Sequence, residues 1–158
     1  MADWKKQALT EVLTRNARRW PEQEALVISG RRLTYSALWQ SVQQIAAGLH
    51  ASGIRHGDHV AVCMGNSIEW VLFFYGAATI GAVTVPVNTR FKADELKYCL
   101  KQADVRLLFV VDRFLKINFI DMLRQICHAV DSKLPGSAKV QKNKLRAQAL
   151  IDFGLQKQ

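Results

Sequence analysis

The chain has no closely spaced cysteines. Cys63, Cys99 and Cys127 are odd in number and far apart, which argues against a disulfide framework and a thiolate zinc site. A glycine-rich phosphate cradle is also missing. The nine glycines stand at 30, 48, 53, 57, 65, 76, 81, 136 and 154. None form G-x-G-x-x-G, and none precedes Lys-Ser or Lys-Thr. No secretory leader is expected, because Met1 to Lys6 leads into a charged stretch and not an apolar one. A reducing cytoplasmic setting is the expectation.

Acidic residues are scarce: 13 against 22 basic ones, a net charge of +9. The excess is uneven. Between positions 139 and 158, Lys139, Lys142, Lys144, Arg146 and Lys157 face Asp152 alone, so that segment carries +4. Such basicity permits contact with nucleic acid or a membrane surface. No aromatic residues interleave with the basic ones, however, and no nucleic-acid motif is visible, so no nucleic-acid partner is expected. Apolar residues make up 49% of the 158, ordinary globular material that buries about 70% of its unfolded surface as one domain.

What the sequence does contain is organised around residues 53–91. A turn at His56-Gly57-Asp58 leads into a strand, His59 to Met64. Asn66 is the expected helix N-cap, with Glu69 three residues on as a capping-box partner. The helix runs from Ser67 to Ile80, and Gly81 ends it in the left-handed conformation. A second strand, Ala82 to Val87, reads as apolar on both faces. This is a βαβ unit, so the expected fold is α/β, a mostly parallel sheet with helices on both sides. No charge occurs between Glu69 and Arg90, long enough to span a bilayer. Gly81, Pro86 and the Val-Thr-Val-Pro-Val alternation favour a buried helix plus a strand, and no transmembrane segment.

Upstream, Lys5 to Arg19 reads as a helix with Leu9, Val12, Leu13 and Asn16–Ala17 on one side, stopped by Pro21. Ala25 to Ile28 and Arg31 to Leu33 flank Ser29-Gly30 as a hairpin. Thr34 caps a helix whose stripe is Leu38, Val42, Ile45 and Leu49. Downstream, Asn88 to Phe91 is a loop. Asp94 and Glu95 sit in the first turn of a helix that turns Leu96, Leu100 and Ala103 inward. Val105 to Val111 is a third parallel strand, and Ile117, Ile120, Leu123 and Cys127 mark a last helix. Pro135-Gly136-Ser137 separates a domain at 1–134 from a linker and basic tail at 135–158. No strand is expected after Val111.

The four histidines do not assemble a metal site: His56 and His59 flank Asp58 in a turn, and nothing nearby completes a ligand set. Ser67 lacks a G-x-S-x-G elbow. From the residues alone, no catalytic constellation is complete.

Leu33-Thr34-Tyr35-Ser36-Ala37-Leu38 resembles the first core motif of the adenylate-forming (AMP-binding) acyl-CoA synthetase superfamily. Residues 53–62, GIRHGDHVAV, resemble that family's G-(hydrophobic)-x-x-G-D-x-V-A segment. Residues 76–90, GAATIGAVTVPVNTR, resemble its second core motif. Asp94-Glu95-Leu96 and then Val105 to Val110 continue the similarity, in the family's order, over about residues 5–130. The Asn-x-Arg-Phe ending is closer to acyl-CoA synthetases than to peptide-synthetase domains. Ala37 departs from the pattern, standing where the family commonly has Glu.

The resemblance implies a ligase that activates a carboxylic acid with ATP to an acyl-adenylate and passes it to CoA, using ATP, Mg2+ and CoA. It also implies what these residues omit: the Ser/Thr/Gly-rich phosphate loop, the adenine and ribose motifs, and the mobile C-terminal domain with its lysine. The expectation is a truncated synthetase, an incomplete N-terminal domain inactive alone, with no cofactor bound. By resemblance, Arg90 is placed to contact a phosphate of CoA; the other reading is a surface arginine paired with Asp94. No catalytic or metal-binding residue is expected. The alternative function is a non-catalytic interaction module that pairs with another chain through an open sheet edge. Its partner is the missing remainder of a ligase, or a second copy, with Phe73, Phe74, Leu108 and Phe109 near the surface.

Overall fold

The computed structural model describes residues 8–131, with side chains described as far as Ile126. The basic tail, and the expected helical residues 5–7, lie outside the described residues.

Helix α1 (Leu9–Arg19) leads to a hairpin of β1 (Glu24–Ile28) and β2 (Arg31–Thr34). Ser29 and Gly30 turn it with φ of 51° and 79°. Helix α2 (Tyr35–Ala51) starts at Thr34, whose hydroxyl accepts from the Ala37 amide at 3.2 Å. The cap therefore forms although Ala37 cannot return the bond. Strand β3 (His59–Cys63), helix α3 (Ile68–Thr79) and strand β4 (Val83–Pro86) make the expected βαβ unit. Helix α4 (Ala93–Gln102) and β5 (Val105–Val110) follow. At the start of α4, the Glu95 carboxylate accepts from the Lys92 amide at 2.8 Å.

The three long strands form one parallel sheet in the order β4-β3-β5. Central β3 is buried from Val60 to Cys63. Its Val60 and Val62 pack with Val42, Ile45, Leu72 and Phe73 of α2 and α3. Its Ala61 and Cys63 pack on the other face with Leu96 of α4 and Phe119, the first residue of α5 (Phe119–Asp131). Alternate residues of one strand thus serve two helical layers, as a doubly covered parallel sheet requires. Each fully buried Val, Leu or Phe contributes about 1.5–3 kcal/mol.

Several expectations need correction. The cap of α3 is Ser67, not Asn66: its hydroxyl accepts from the Trp70 amide at 3.1 Å. Glu69 does not return a capping bond. It reaches Arg31 at 2.6 Å and ties the start of α3 to the β1–β2 hairpin. Strand β4 is not buried on both faces, because it is an outer strand, with Val83 and Pro86 exposed. On α1 only Leu13 and Ala17 are buried, while Leu9 and Val12 stay exposed. Two further strands follow Val111, β6 (Arg113–Phe114) and β7 (Ile117–Asn118), a small antiparallel hairpin separate from the main sheet. Ile117 therefore belongs to a strand, and α5 begins two residues later. Phe73 is not near the surface but 1% exposed, stacked on Phe109 with ring centroids 4.8 Å apart. Phe74, Leu108 and Phe109 are half-buried.

Candidate functional site

In an open parallel sheet, ligands settle outside the carboxyl ends of the strands, where neighbouring strands send their helices to opposite faces. Here β3 leads to α3 on one face and β5 leads to α5 on the other. Strand β4 likewise leads to α4 on that other face, so topology alone offers one crevice beyond Cys63 and Pro86 and a second beyond Cys63 and Val110. Gly65, Asn66 and Ser67 line one side of the second, and the β6–β7 hairpin follows on its other side.

The second crevice is occupied. A Cβ built on Gly65 would stand 2.2 Å from Cε2 and 2.7 Å from Cζ of Phe114. The Phe114 ring lies against the glycine at the mouth of that crevice. Ser67 is committed to the α3 cap, and its hydroxyl also contacts the Met64 sulfur at 3.6 Å. The Glu69 carboxylate, its neighbour two residues on, is also paired with Arg31.

Arg90 lies at the same end of the sheet, in the turn after the outer strand β4. The turn is held by Asn88, whose side-chain oxygen accepts from the Arg90 amide at 2.9 Å, while its carbonyl accepts from the Phe91 amide at 3.1 Å. The Arg90 side chain is exposed, and the described residues give it no ion pair with Asp94 or any other carboxylate. Strand β4 pairs directly with β3, so the turn that carries Arg90 and the β3–α3 loop that carries Ser67 lie at the same end of adjacent strands.

The histidines have structural surroundings. His59 bonds through Nδ1 with the Ala103 carbonyl, joining β3 to the end of α4. The His56 ring covers Gly81, where a Cβ would meet its Cδ2 at 2.3 Å. Among the described residues no three or more His, Cys, Asp or Glu converge as metal ligands.

Sequence reading missed one electrostatic lock. Arg106 of β5 reaches both carboxylate oxygens of Asp58, at 2.8 and 2.7 Å, and Asp58 also accepts from the Arg55 amide at 2.7 Å. The guanidinium and then the amide hold the Asp58 carboxyl below its ordinary range. Only the pairing of β3 with β5 brings these residues together. Cys63 is pushed the other way: burial, with Cys99 nearby, raises its thiol to about 11. It is a core side chain and not a nucleophile.

The sequence model of the AMP-binding enzyme family matches residues 13–154. The chain belongs to that family. Medium-chain acyl-CoA ligase ACSF2, mitochondrial, of Bos taurus is 36% identical over 132 residues, covering 82% of this chain and 22% of that protein. Among solved structures, the anthranilate CoA ligase AuaEII in complex with anthranoyl-AMP superposes with a TM-score of 0.70 at 27% identity, covering 77% of this chain and 23% of its own. A Mycobacterium tuberculosis fatty acyl CoA synthetase gives 0.67 at 30% identity, over 83% and 25%. The chain thus spans about a quarter or less of the length of these relatives. Its three parallel strands and flanking helices are the N-terminal portion of the adenylate-forming ligase fold. No described helix is long and apolar enough to cross a membrane.

Proposed function

We propose that these residues are a structural segment of an acid–CoA ligase, the kind that joins a carboxylic acid to CoA through an acyl-adenylate, and that alone they are catalytically inert. The observation that carries this reading is Phe114 on Gly65: one of the two crevices the topology offers to a nucleotide is occupied by the chain's own side chain. The residues that hold ATP and magnesium in such ligases are expected elsewhere in the fold. Catalysis of phosphoryl and acyl transfer rests on preorganised charge, and among the described residues no three or more His, Cys, Asp or Glu converge to supply it. Purified chain should show no carboxylate-dependent ATP–pyrophosphate exchange with medium-chain or aromatic acids. Exchange above a heat-killed control, in a preparation free of host synthetases, overturns the reading.

Within that role, Arg90 is the residue we assign to a phosphate of CoA. Its guanidinium is exposed at the carboxyl end of the sheet and makes no ion pair with a carboxylate among the described residues, and it suits bidentate phosphate recognition. Calorimetry with CoA and with dephospho-CoA tests this. Weak binding lost both in Arg90→Ala and on removing the 3′-phosphate supports it; identical heats for the variant and the native chain refute it. A second reading, a non-catalytic module that pairs with another chain, is favoured by the outer strands β4 and β5, each paired on one side only among the described residues.

A further inference from the structure

The direction in which Arg90 leaves the backbone is set by its neighbours. It stands third in the turn Asn88-Thr89-Arg90-Phe91. The Asn88 carbonyl accepts from the Phe91 amide at 3.1 Å, which closes a four-residue β-turn. Neither Thr89 nor Arg90 has a positive φ, so the turn needs no glycine at its centre, and asparagine is a favoured first residue.

The Asn88 side chain adds a second bond. Its Oδ1 accepts from the Arg90 amide at 2.9 Å, the arrangement in which an asparagine side chain imitates a backbone turn. A peptide group is planar. The bond at the Arg90 amide therefore fixes the plane before its Cα, and the bond at the Phe91 amide fixes the plane after it. With both planes tied to one residue, the Cα–Cβ direction of Arg90 is set before any ligand arrives.

The turn is itself anchored at both ends. On one side Val87 is buried, and its amide donates to the Val62 carbonyl at 2.9 Å. On the other, Phe91 packs against the cluster that holds Val87 and Leu96, and the Lys92 amide donates to the Glu95 carboxylate at 2.8 Å. Asn88 is exposed, so its side chain contributes to the turn and not to the core. The Arg90 amide is spent on Asn88, which leaves the guanidinium as the group Arg90 offers to a phosphate.

We propose that Asn88 is the positioning residue of Arg90. Its side-chain oxygen holds the Arg90 backbone so that the guanidinium is presented at the carboxyl end of β4 with part of its ordering cost already met. Binding groups fixed in advance lose less freedom when the ligand arrives. This role rests on the assignment of Arg90 to a phosphate of CoA and names the residue through which that assignment operates.

Calorimetry on the full 158-residue chain tests it, with CoA and dephospho-CoA as the probes. The variants are Arg90→Ala, Asn88→Ala, Asn88→Ser and the double alanine, and NMR reads amide proton exchange at Arg90. Asn88→Ala should weaken CoA binding about three- to tenfold, towards the value for dephospho-CoA, the range expected when one backbone position must be ordered on binding. Exchange at the Arg90 amide should quicken in the same variant. Asn88→Ser keeps a neutral acceptor that makes the same turn more weakly, and it should keep most of the affinity. Added to Arg90→Ala, the Asn88→Ala change should cause no further loss.

CoA binding that falls in Arg90→Ala but stays native in Asn88→Ala overturns the positioning role and leaves the Arg90 assignment standing. A further loss in the double variant also overturns it, because Asn88 then meets CoA by itself. A loss in Asn88→Ala that Asn88→Ser repeats in full shows that the acceptor oxygen is not what matters and refutes the proposal. A native chain that binds CoA no better than dephospho-CoA, or binds neither, overturns the Arg90 assignment and this role with it.

Discussion

Gly76 and Gly48 sit inside neighbouring helices and should respond oppositely to the same substitution. Gly48 is exposed on α2, and a Cβ there would meet nothing within 4 Å. Glycine costs a helix interior about 1 kcal/mol relative to alanine, so Gly48→Ala should stabilise by about that amount. Gly76 is buried where α3 crosses α2, and its added Cβ would stand 2.4 Å from Cγ2 and 2.8 Å from Cβ of Ile45. A β-branched side chain has little χ1 freedom in a helix, and the Ala46 backbone amide at 3.3 Å blocks the other direction. Overpacking of this kind costs about 1–3 kcal/mol. The propensity gain is common to both variants, so the difference between them isolates the clash. Gly76→Ala should lie about 1–3 kcal/mol below Gly48→Ala in urea unfolding with unchanged slope. Ile45→Ala removes the obstructing Cγ2, so its own cost should shrink by about 1–2 kcal/mol in the Gly76→Ala background, a coupling typical of residues in contact. Equal stabilisation by the two alanines would refute the close crossing of α2 and α3.

Ser67→Ala should cost about 0.5–2 kcal/mol by urea unfolding, the range for a lost N-cap, whereas Asn66→Ala should cost markedly less; the reverse order would restore Asn66 as the cap. The Asp58 carboxyl is held below its usual range by Arg106 and the Arg55 amide, so its contribution to stability is complete above its unfolded value and is lost as pH falls through the lowered folded one. Asp58→Asn should accordingly flatten the fall in thermal midpoint below about pH 4, and an unaltered acid limb would show that the lock is idle. The Cys63 thiol, raised to about 11 by burial, should resist iodoacetamide at pH 8 in the folded protein and react on unfolding; modification of the folded chain at the rate of a free thiol would contradict the packing.

Much of the fold was legible because local rules and tertiary packing agree. The stripe of Leu38, Val42, Ile45 and Leu49 is buried as its spacing requires, and Gly81 adopts φ of 71° after α3. Where two candidates compete for one role, neighbours settled it. Asn66 and Ser67 are both good caps, and the direction in which the chain leaves β3 chose the serine. Leu9 and Val12 fit an amphipathic pattern, but the chain packs only Leu13 and Ala17 against a neighbour. The β6–β7 hairpin was missed because two-residue strands carry no periodicity.

The candidate site was less legible still. The motifs running through residues 33–110 determined the family, and the unbroken apolar run of Val60 to Met64 determined that helices must cover both faces, since those are properties of residue order and spacing. The Phe114 ring over Gly65 and the Asp58–Arg106 lock depend on residues 49 and 48 positions apart in the chain. Only the strand order and register bring such residues within contact distance, so only the tertiary structure decided them.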